Sequence, residues 1–230
     1  AVDALPMIIK FPAPDGVGQA ADPKLPVEPL TGAVSNCDVW IEFNQKWLLY
    51  STPYQRAITT NKKLRYMCLV EYTEDVMVRT MTGVDTEKLT AFMNRVAELN
   101  RAAKRIRMTT PGGTDVSFET DDRHVVSVDA GDASKSGVYM MMGQLNVVPK
   151  YGSVNGTIVF DGTVTPPFGR TPDQPVVLTV ENSVITKIEG GNDAKAYDKW
   201  LHEFNDPGML KMAHVAYGFN PGARLSGNVV

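Results

Sequence analysis

Short apolar runs alternate with polar and amphipathic stretches through the first hundred residues of the chain. Residues 38–43 (DVWIEF) and 65–70 (RYMCLV) are short and rich in β-branched and aromatic side chains, which predicts two buried strands. Helix starts are indicated by residues whose side chains favour the N-cap position: Ser51 (with proline two residues later), Thr73 and Asp85. This part of the chain therefore predicts strands that alternate with helices.

The helix predicted after Asp85 has the clearest periodic spacing of apolar residues. Its apolar residues recur at the i, i+3, i+4 and i+7 spacing of one helix face, which predicts an amphipathic helix packed on a sheet: Leu89, Phe92, Met93, Val96 and Leu99. Strands that alternate with helices favour a parallel sheet with helices layered on it. We therefore predict a layered, Rossmann-like α/β domain over residues 1–104.

The pattern becomes mostly β-rich after about residue 104. Strand-forming runs are predicted, in order, at 105–110, 114–120, 155–164 and 175–188. Turn residues between the first two runs (PGG) and inside the last run (ENS) predict two tight hairpins. One late helix, at 193–204, is predicted to bury four residues: Tyr197, Trp200, Leu201 and Phe204. Residues 105–230 are therefore predicted to form a β-rich α+β domain.

Composition and charge exclude two classes of partner. The 230-residue chain has 43% hydrophobic and 21% charged residues and a formal net charge of −3, as is typical of a globular protein with a sizeable core. The densest basic run, residues 104–107, is too short to predict a nucleic-acid surface. No apolar run approaches the roughly 18 residues of a membrane span. Neither a nucleic-acid nor a membrane partner is expected.

Cysteine content and the termini bear on location. Cys37 and Cys68 lie in apolar segments and are expected to be buried free thiols on strands, although two cysteines leave one disulfide open. No signal peptide begins the sequence, which with the free thiols and eleven methionines indicates a cytoplasmic protein. The sequence starts on Ala1, with no methionine, and ends at Val230, soon after the run that contains His214. We therefore expect both ends to be trimmed.

The chain has three histidines, so few residues could serve as histidine ligands of a metal. His124 stands at a strand start behind a charged turn, and His202 lies off the apolar stripe of the late helix, so both are expected at the surface. His214 lies in an apolar, strand-like run just before a turn at 220–222, where it is either a metal ligand or a satisfied core histidine. Catalytic zinc needs three protein ligands, and non-haem iron needs two histidines and a carboxylate. The sequence offers neither set as a local motif.

Six segments, in order along the chain, carry a resemblance to a known family. They are similar to the family that contains 2,5-dihydroxypyridine 5,6-dioxygenase and, more distantly, to the aminopeptidase T metallopeptidases. The similarity extends over nearly the whole chain. The segments are LLYSTP (48–53), GTDVSF (113–118), SVNGTIVFD (153–161), ITKIEGG (185–191), EFNDP (203–207) and HVAYGFNPGAR (214–224).

The resemblance implies a metal site at His214. In the dioxygenase branch the histidine at this position is an iron(II) ligand, whereas the peptidase branch typically has glutamate there. Histidine therefore favours an iron(II)-dependent, extradiol-type ring-cleaving dioxygenase that acts on a hydroxylated N-heteroaromatic compound. The family completes its metal site with a His-x-Asp pair further downstream, which the sequence up to Val230 does not contain.

The same resemblance implies substrate contacts. Tyr50 stands where the pyridine dioxygenase has a histidine near the substrate. A tyrosine can stack on a ring or donate a hydrogen bond, but an ordinary tyrosine pKa of about 10 makes it a poor base. Tyr50 is equally compatible with a role as a core aromatic residue. Tyr217 is a second candidate for ring contact, and Asp115 is a weaker one that also fits a structural role.

The implied partners are a small aromatic substrate and dioxygen, and the family resemblance suggests a homo-oligomer. Two alternative functions stay open at the level of sequence. One is a metal-dependent aminopeptidase or related hydrolase, which would use zinc or another divalent metal to activate water. The other is a non-catalytic relative that keeps the fold without a complete site.

Overall fold

A computed structural model describes residues 4–121, 123 and 125–225 of the chain. This part of the chain has a mixed α/β fold with three sheets, which confirms the predicted mixed α/β class. The helices are α1 (Val27–Val34), α2 (Thr52–Thr60), α3 (Glu74–Met77), α4 (Thr86–Ala102) and α5 (Asn192–Glu203). The strands are β1 (Val39–Glu42), β2 (Arg65–Cys68), β3 (Arg105–Thr109), β4 (Asp115–Glu119), β5 (Val126–Asp129), β6 (Gly137–Tyr139), β7 (Gln144–Val147), β8 (Asn155–Phe160), β9 (Val176–Glu181), β10 (Val184–Glu189) and β11 (Val215–Gly218).

The described residues pack into two compact units. Unit 1 comprises the residues up to Tyr72 together with Gly131–Met141, and unit 2 comprises Thr73–Ala130 and the residues from Met142 onward. This boundary differs from the predicted one at residue 104, because α4 packs on β5 and β7 and so lies in unit 2. As a division into independently folding domains, 1–104 and 105–230 stay a prediction.

Unit 1 contains a three-stranded parallel sheet in the order β1–β2–β6. Helices α1 and α2 pack against each other and share an apolar core with this sheet. The predicted cap of α2 is confirmed, since Oγ of Ser51 accepts a hydrogen bond from the backbone N–H of Tyr54 at 3.4 Å. The most buried apolar residues of this core include Leu30, Leu48, Ala57, Leu64 and Tyr66.

Unit 2 contains a five-stranded antiparallel sheet in the order β10–β9–β8–β4–β3. The two hairpins that the sequence predicts, β3–β4 and β9–β10, are confirmed. In the first, Gly113 has a φ of +104°, a conformation that side-chain-bearing residues rarely adopt, so this turn needs glycine. Helix α5 packs on β9 and β10.

A second sheet of unit 2 has three antiparallel strands in the order β11–β7–β5. The sequence pattern predicted the β11 run and indicated the start of β5, but it did not predict β7. Helix α4 packs on β5 and β7. Its predicted cap is confirmed, because Oδ1 of Asp85 accepts a hydrogen bond from the backbone N–H of Lys88 at 3.1 Å.

The buried faces of α4 and α5 differ in part from the predicted stripes. The predicted residues that are buried are Leu89, Met93 and Leu201, and those that are exposed are Phe92 (53%), Leu99 (58%) and Phe204 (53%). Val96, Tyr197 and Trp200 are half-buried. On α4, Ala97 and Asn100 take inner positions instead. A search for large apolar residues at helical spacing does not detect a small residue or a hydrogen-bonding amide at the contact.

Both cysteines are free thiols, so the disulfide alternative is wrong. Cys68 is buried on β2 as predicted, whereas Cys37 is half-buried in the loop before β1 and not on a strand. Burial raises the pKa of both thiols, which keeps them protonated and unreactive.

In the part of the chain that the structure describes, no helix is both long enough and apolar enough to cross a lipid bilayer. This finding agrees with the sequence, which has no apolar run of the required length.

Candidate functional site

His214 lies at the start of the edge strand of the three-stranded sheet in unit 2. It immediately precedes β11, and its side chain is exposed. Beyond the strand the chain turns at Pro221 and Gly222, as the sequence predicts. Because the imidazole is exposed, the interpretation as a buried core histidine is wrong. The ring is open to a ligand or a metal ion.

The turn that follows β11 is held by hydrogen bonds between side chains and backbone groups. Nδ2 of Asn220 donates hydrogen bonds to the carbonyl oxygens of Thr80 (2.9 Å) and Met142 (3.1 Å). The backbone N–H of Gly222 donates to Oδ1 of Asn220 at 2.9 Å, and Nη1 of Arg79 donates to the carbonyl of Gly222. Thr80 and Arg79 belong to a short π-helix, Val78–Thr82. These bonds fix the end of β11 against that helix.

Tyr217 lies on β11, three residues after His214, and faces the core. Burial alternates along β11, so Tyr217 faces the apolar core with Val215, and Ala216 and Gly218 face outward. The hydroxyl of Tyr217 donates to Oδ1 of Asn100 at 3.3 Å, and burial raises its pKa. The structure therefore packs Tyr217 against the core, whereas His214 is exposed.

Asp115 lies on β4, in the five-stranded sheet, and is held by an arginine that the sequence reasoning missed. Nε and Nη2 of Arg107 donate to its two carboxylate oxygens at 2.7 and 2.6 Å. The two residues lie on neighbouring strands of the β3–β4 hairpin. The hydrogen bond from Arg107 lowers the pKa of Asp115 and keeps it ionised. This geometry is that of a surface ion pair.

Tyr50 lies in unit 1, in the loop that connects β1 to α2. Its φ is +70°, which lies in the left-handed region. This backbone conformation is unfavourable for any residue that has a side chain. Tyr50 is 59% exposed. It lines a cavity of about 490 Å³ together with Trp47, Leu49 and Gly18. Strained, exposed aromatic residues at a cavity are typical of binding sites. Tyr50 is thus a predicted site residue that lines a cavity.

The loop that carries Tyr50 is held by a buried carboxylate that the sequence reasoning also missed. Glu42, at the end of β1, is 1% exposed. Its Oε1 accepts hydrogen bonds from the backbone N–H of Leu48 at 2.7 Å and from Nδ2 of Asn44 at 3.1 Å, and its Oε2 accepts one from the hydroxyl of Tyr66. Burial raises the pKa of Glu42. The one sequence signal for this position is the alternation of side chains along β1, which directs Glu42 inward. A carboxylate is otherwise rare in a protein core.

Other groups that could hold a metal are not gathered around His214. Across residues 4–121, 123 and 125–225, no three histidine, cysteine, aspartate or glutamate side chains come together as a metal site. His202 is exposed on α5 as predicted, where Nδ1 lies 3.2 Å from a carboxylate oxygen of Asp198. His124 lies outside the described residues. Within the described residues His214 is thus a single candidate ligand.

The fold and these residues define a mixed α/β protein with an exposed histidine at a sheet edge and, in its other unit, an aromatic-lined cavity. The chain belongs to the NicX family, 2,5-dihydroxypyridine 5,6-dioxygenase, whose family model matches residues 6–229. The resemblance drawn from the six segments is confirmed at the level of the family.

Two relatives of known name support this assignment. A curated 2,5-dihydroxypyridine 5,6-dioxygenase of Pseudomonas putida KT2440 is 25% identical over 180 residues, which are 77% of this chain and 49% of that protein. A solved structure of 2,5-dihydroxypyridine dioxygenase from the same organism has a TM-score of 0.69 at 22% identity and covers 85% of this chain and 55% of that one. The chain thus spans about half the length of these relatives.

The distant resemblance is also confirmed at the level of the fold. Wild-type AmpT from Thermus thermophilus has a TM-score of 0.57 at 11% identity, with 84% of this chain and 58% of that chain covered. Identity this low speaks for a shared fold and not for a shared activity.

Proposed function

We propose that this chain is part of an iron(II)-dependent, extradiol-type dioxygenase that cleaves the ring of a hydroxylated N-heteroaromatic compound such as 2,5-dihydroxypyridine. The observation that carries the proposal is the match of the family model to residues 6–229, supported by the 25% identical dioxygenase. Because the chain covers 49% of that relative, the activity of the whole protein is part of the proposal.

His214 is proposed as one ligand of the iron. An exposed imidazole at the end of a strand is accessible to a metal, and the anchored turn beyond β11 holds the strand in place. Iron sites of this kind need a second histidine and a carboxylate, and the described residues do not supply them beside His214. His214 therefore fits one ligand position of the iron, and the described residues beside it do not supply the other ligands. Zinc or another divalent ion is the alternative occupant.

A bound iron of this type brings dioxygen and the ring together, and this chain's own contribution is to bind the ring. Tyr50 and Trp47 give the cavity in unit 1 aromatic walls, and about 490 Å³ is ample for a single heteroaromatic ring. Tyr50 would stack on the ring or donate a hydrogen bond to it. Tyr217 and Asp115 are weaker proposals, because their polar atoms already bond Asn100 and Arg107.

The remaining predictions about the whole protein belong to the same proposal. They are a layered, Rossmann-like arrangement around the parallel sheet of unit 1, a cytoplasmic location and assembly as a homo-oligomer. The parallel order β1–β2–β6 with α1 and α2 on its core supports the first of these. The free, protonated thiols support a reducing compartment.

Oxygen uptake tests the reaction class. The protein is incubated with Fe(II) and 2,5-dihydroxypyridine in an oxygen electrode, and in parallel with a dipeptide while free amino acid is measured. We expect one dioxygen consumed per ring lost and no amino acid released. Release of amino acid without oxygen uptake would show a hydrolase, and neither signal would show a relative without activity.

Tyr50→Ala is expected to raise KM for the ring about tenfold, since a good aromatic contact contributes up to roughly 1.5 kcal/mol. Tyr50→Phe keeps the ring contact and removes only the hydroxyl, so its KM is expected within about threefold of the wild type. Steady-state oxygen uptake over a range of substrate concentrations measures both. Equal KM values for wild type and Tyr50→Ala would remove Tyr50 from the site.

A further inference from the structure

Strand β1 is an open edge of the parallel sheet in unit 1. Within the described residues it pairs with β2 alone, and on that side the carbonyl oxygen of Glu42 accepts a hydrogen bond from the backbone N–H of Leu69 at 2.8 Å. Successive residues of a strand direct their backbone groups to opposite sides. The N–H and C=O groups of Val39 and Ile41 therefore point to the open side of β1, where another strand can pair with them.

The side chains along this edge are apolar and exposed. Val39 is 43% exposed, Ile41 is 50% exposed, and Phe43, directly after the strand, is 53% exposed. Edge strands are normally protected against further pairing by charged residues, proline or a β-bulge, and these three residues supply no such protection. The opposite edge of the sheet, β6, has three residues and begins with glycine, so it is the poorer template. β1 thus has both the backbone groups and the apolar side chains that an added strand needs.

Residues 5–10 (LPMIIK) have the complementary property. The structure places residues 4–13 in no helix or strand, and Leu5 is 98% exposed, Met7 66% and Ile8 83%. A short run of apolar and β-branched residues favours a strand, and burial of such side chains is favourable. The next residue, Phe11, packs against the apolar core of unit 1. The segment is therefore anchored at one end and available for pairing along the rest of its length.

One antiparallel register suits both partners. It sets Lys10 opposite Asp38, which are both exposed and of opposite charge, and it brings apolar side chains into cross-strand pairs. Pro6 takes a position whose backbone points away from β1, so its missing N–H costs no hydrogen bond between the strands. An antiparallel strand at the edge of an otherwise parallel sheet is common. The apolar pairs are Ile9 with Val39, Ile8 with Trp40, Met7 with Ile41 and Leu5 with Phe43.

The structure favours a second copy of the chain as the source of the added strand. Residues 5–10 form no strand with β1 of their own chain, although Phe11 holds them to the same unit. Two copies can exchange the segment reciprocally. Such an exchange covers both β1 edges around a two-fold axis, so the assembly is closed and stops at two chains.

We propose that the open edge of β1 binds residues 5–10 of a second copy of this chain, and that reciprocal exchange forms a two-fold dimer. The added strand covers the exposed side chains of Val39, Ile41 and Phe43. This inference goes beyond the proposed reaction, because it uses neither the iron nor the ring. It gives the proposed homo-oligomer a defined contact.

Disulfide cross-linking between two chains tests the register. Met7→Cys in one chain and Ile41→Cys in a second chain with a different tag are co-expressed, so that mixed dimers form, and are then oxidised. Residues opposite each other in a hydrogen-bonded antiparallel pair have Cα atoms about 5.5 Å apart, which is within the range of a disulfide. Lys199→Cys, at an exposed position on α5, replaces Ile41→Cys in the control. Each variant co-expressed with the wild type measures the background from Cys37 and Cys68.

The cross-linked product that carries both tags is the expected result. We expect Met7→Cys with Ile41→Cys to give at least about ten times more of it than Met7→Cys with Lys199→Cys, because disulfide formation requires close and correctly oriented Cβ atoms. A gel run without reductant and probed for both tags measures the two yields.

Light scattering of the purified chain tests the dimer without a cross-link. The wild type is expected at twice the mass of one chain. Ile41→Lys places a charge in the middle of the covered edge, so the dissociation constant of the dimer is expected to rise at least about tenfold. Phe204→Lys changes a residue on α5 that is likewise 53% exposed, and it is expected to stay dimeric. Circular dichroism shows whether both variants fold, and if Ile41→Lys is misfolded the cross-link carries the test.

Three results would overturn the inference. They are a wild type with the mass of a single chain, equal cross-linking in the test and control mixtures, and a Met7→Cys/Ile41→Cys double variant whose disulfide forms within one chain. The last result would show that the segment pairs with its own β1. Oxygen uptake by the wild type is measured separately, so a failure here leaves the proposed function standing.

Discussion

In Gly222→Ala, unit 2 is expected to lose about 3 kcal/mol of its free energy of unfolding. A Cβ on Gly222 would lie 1.9 Å from the carbonyl oxygen of Arg79 and 3.1 Å from Cα of Thr80. Both atoms are backbone, so no side-chain rotation relieves the clash. The turn would have to leave the π-helix and give up the hydrogen bonds of Asn220 to Thr80 and Met142.

Urea unfolding and amide hydrogen exchange of β11 measure this loss. The matched control is Gly218→Ala on the same strand, where an added Cβ meets nothing within 4 Å and the change is expected within about 0.5 kcal/mol. Faster exchange at Val215–Gly218 in Gly222→Ala alone would show that the anchored turn holds β11. Equal stability of the two variants would contradict the contact between Gly222 and Arg79.

Glu42→Ala is expected to destabilise unit 1 by about 4 kcal/mol. The change leaves the backbone N–H of Leu48 and the hydroxyl of Tyr66 without their acceptor and opens a cavity beneath the loop that carries Trp47 and Tyr50. Glu42→Gln keeps an acceptor and nearly the same volume, so a much smaller loss is expected. Thermal and urea unfolding compare the two variants.

The stability difference between Glu42→Gln and the wild type is expected to depend on pH. Burial raises the pKa of Glu42 in the folded state above its unfolded value of about 4.3. The neutral carboxyl is therefore favoured on folding, and its contribution is fully present below about pH 4.3 and lost as the pH rises through the folded pKa. Glu42→Gln should gain on the wild type as the pH rises above about 4.3. A pH-independent difference would contradict a raised pKa.

The sequence predicted the elements whose signals are local. Ser51, Thr73 and Asp85 each accept a hydrogen bond from the third backbone N–H beyond them, as N-caps do. Both hairpins follow from turn chemistry. Strands β6 and β7 were missed, and only the start of β5 was indicated, because runs of three or four residues offer little pattern to detect. β6 joins unit 1 from residues 131–141, a long-range pairing that no local signal reveals.

Candidate site residues were predictable in type but not in their contacts. The position of His214 just before β11 agrees with the predicted strand-like run, whereas its exposure was one of two alternatives that the sequence left open. The partners of Asp115 and Tyr217, namely Arg107 and Asn100, come from neighbouring elements and depend on register. Glu42 escaped notice because burial of a carboxylate depends on packing and cannot be recognised from its neighbours along the chain.

Oxygen uptake by His214→Ala is the most direct test of the account. The side chain is exposed, so its removal is expected to change the free energy of unfolding by no more than about 0.5 kcal/mol. If the imidazole holds iron, the variant should consume dioxygen with 2,5-dihydroxypyridine at least about a hundredfold more slowly than the wild type and bind less Fe(II) by elemental analysis. A variant with wild-type oxygen uptake and wild-type iron content would contradict the role of His214.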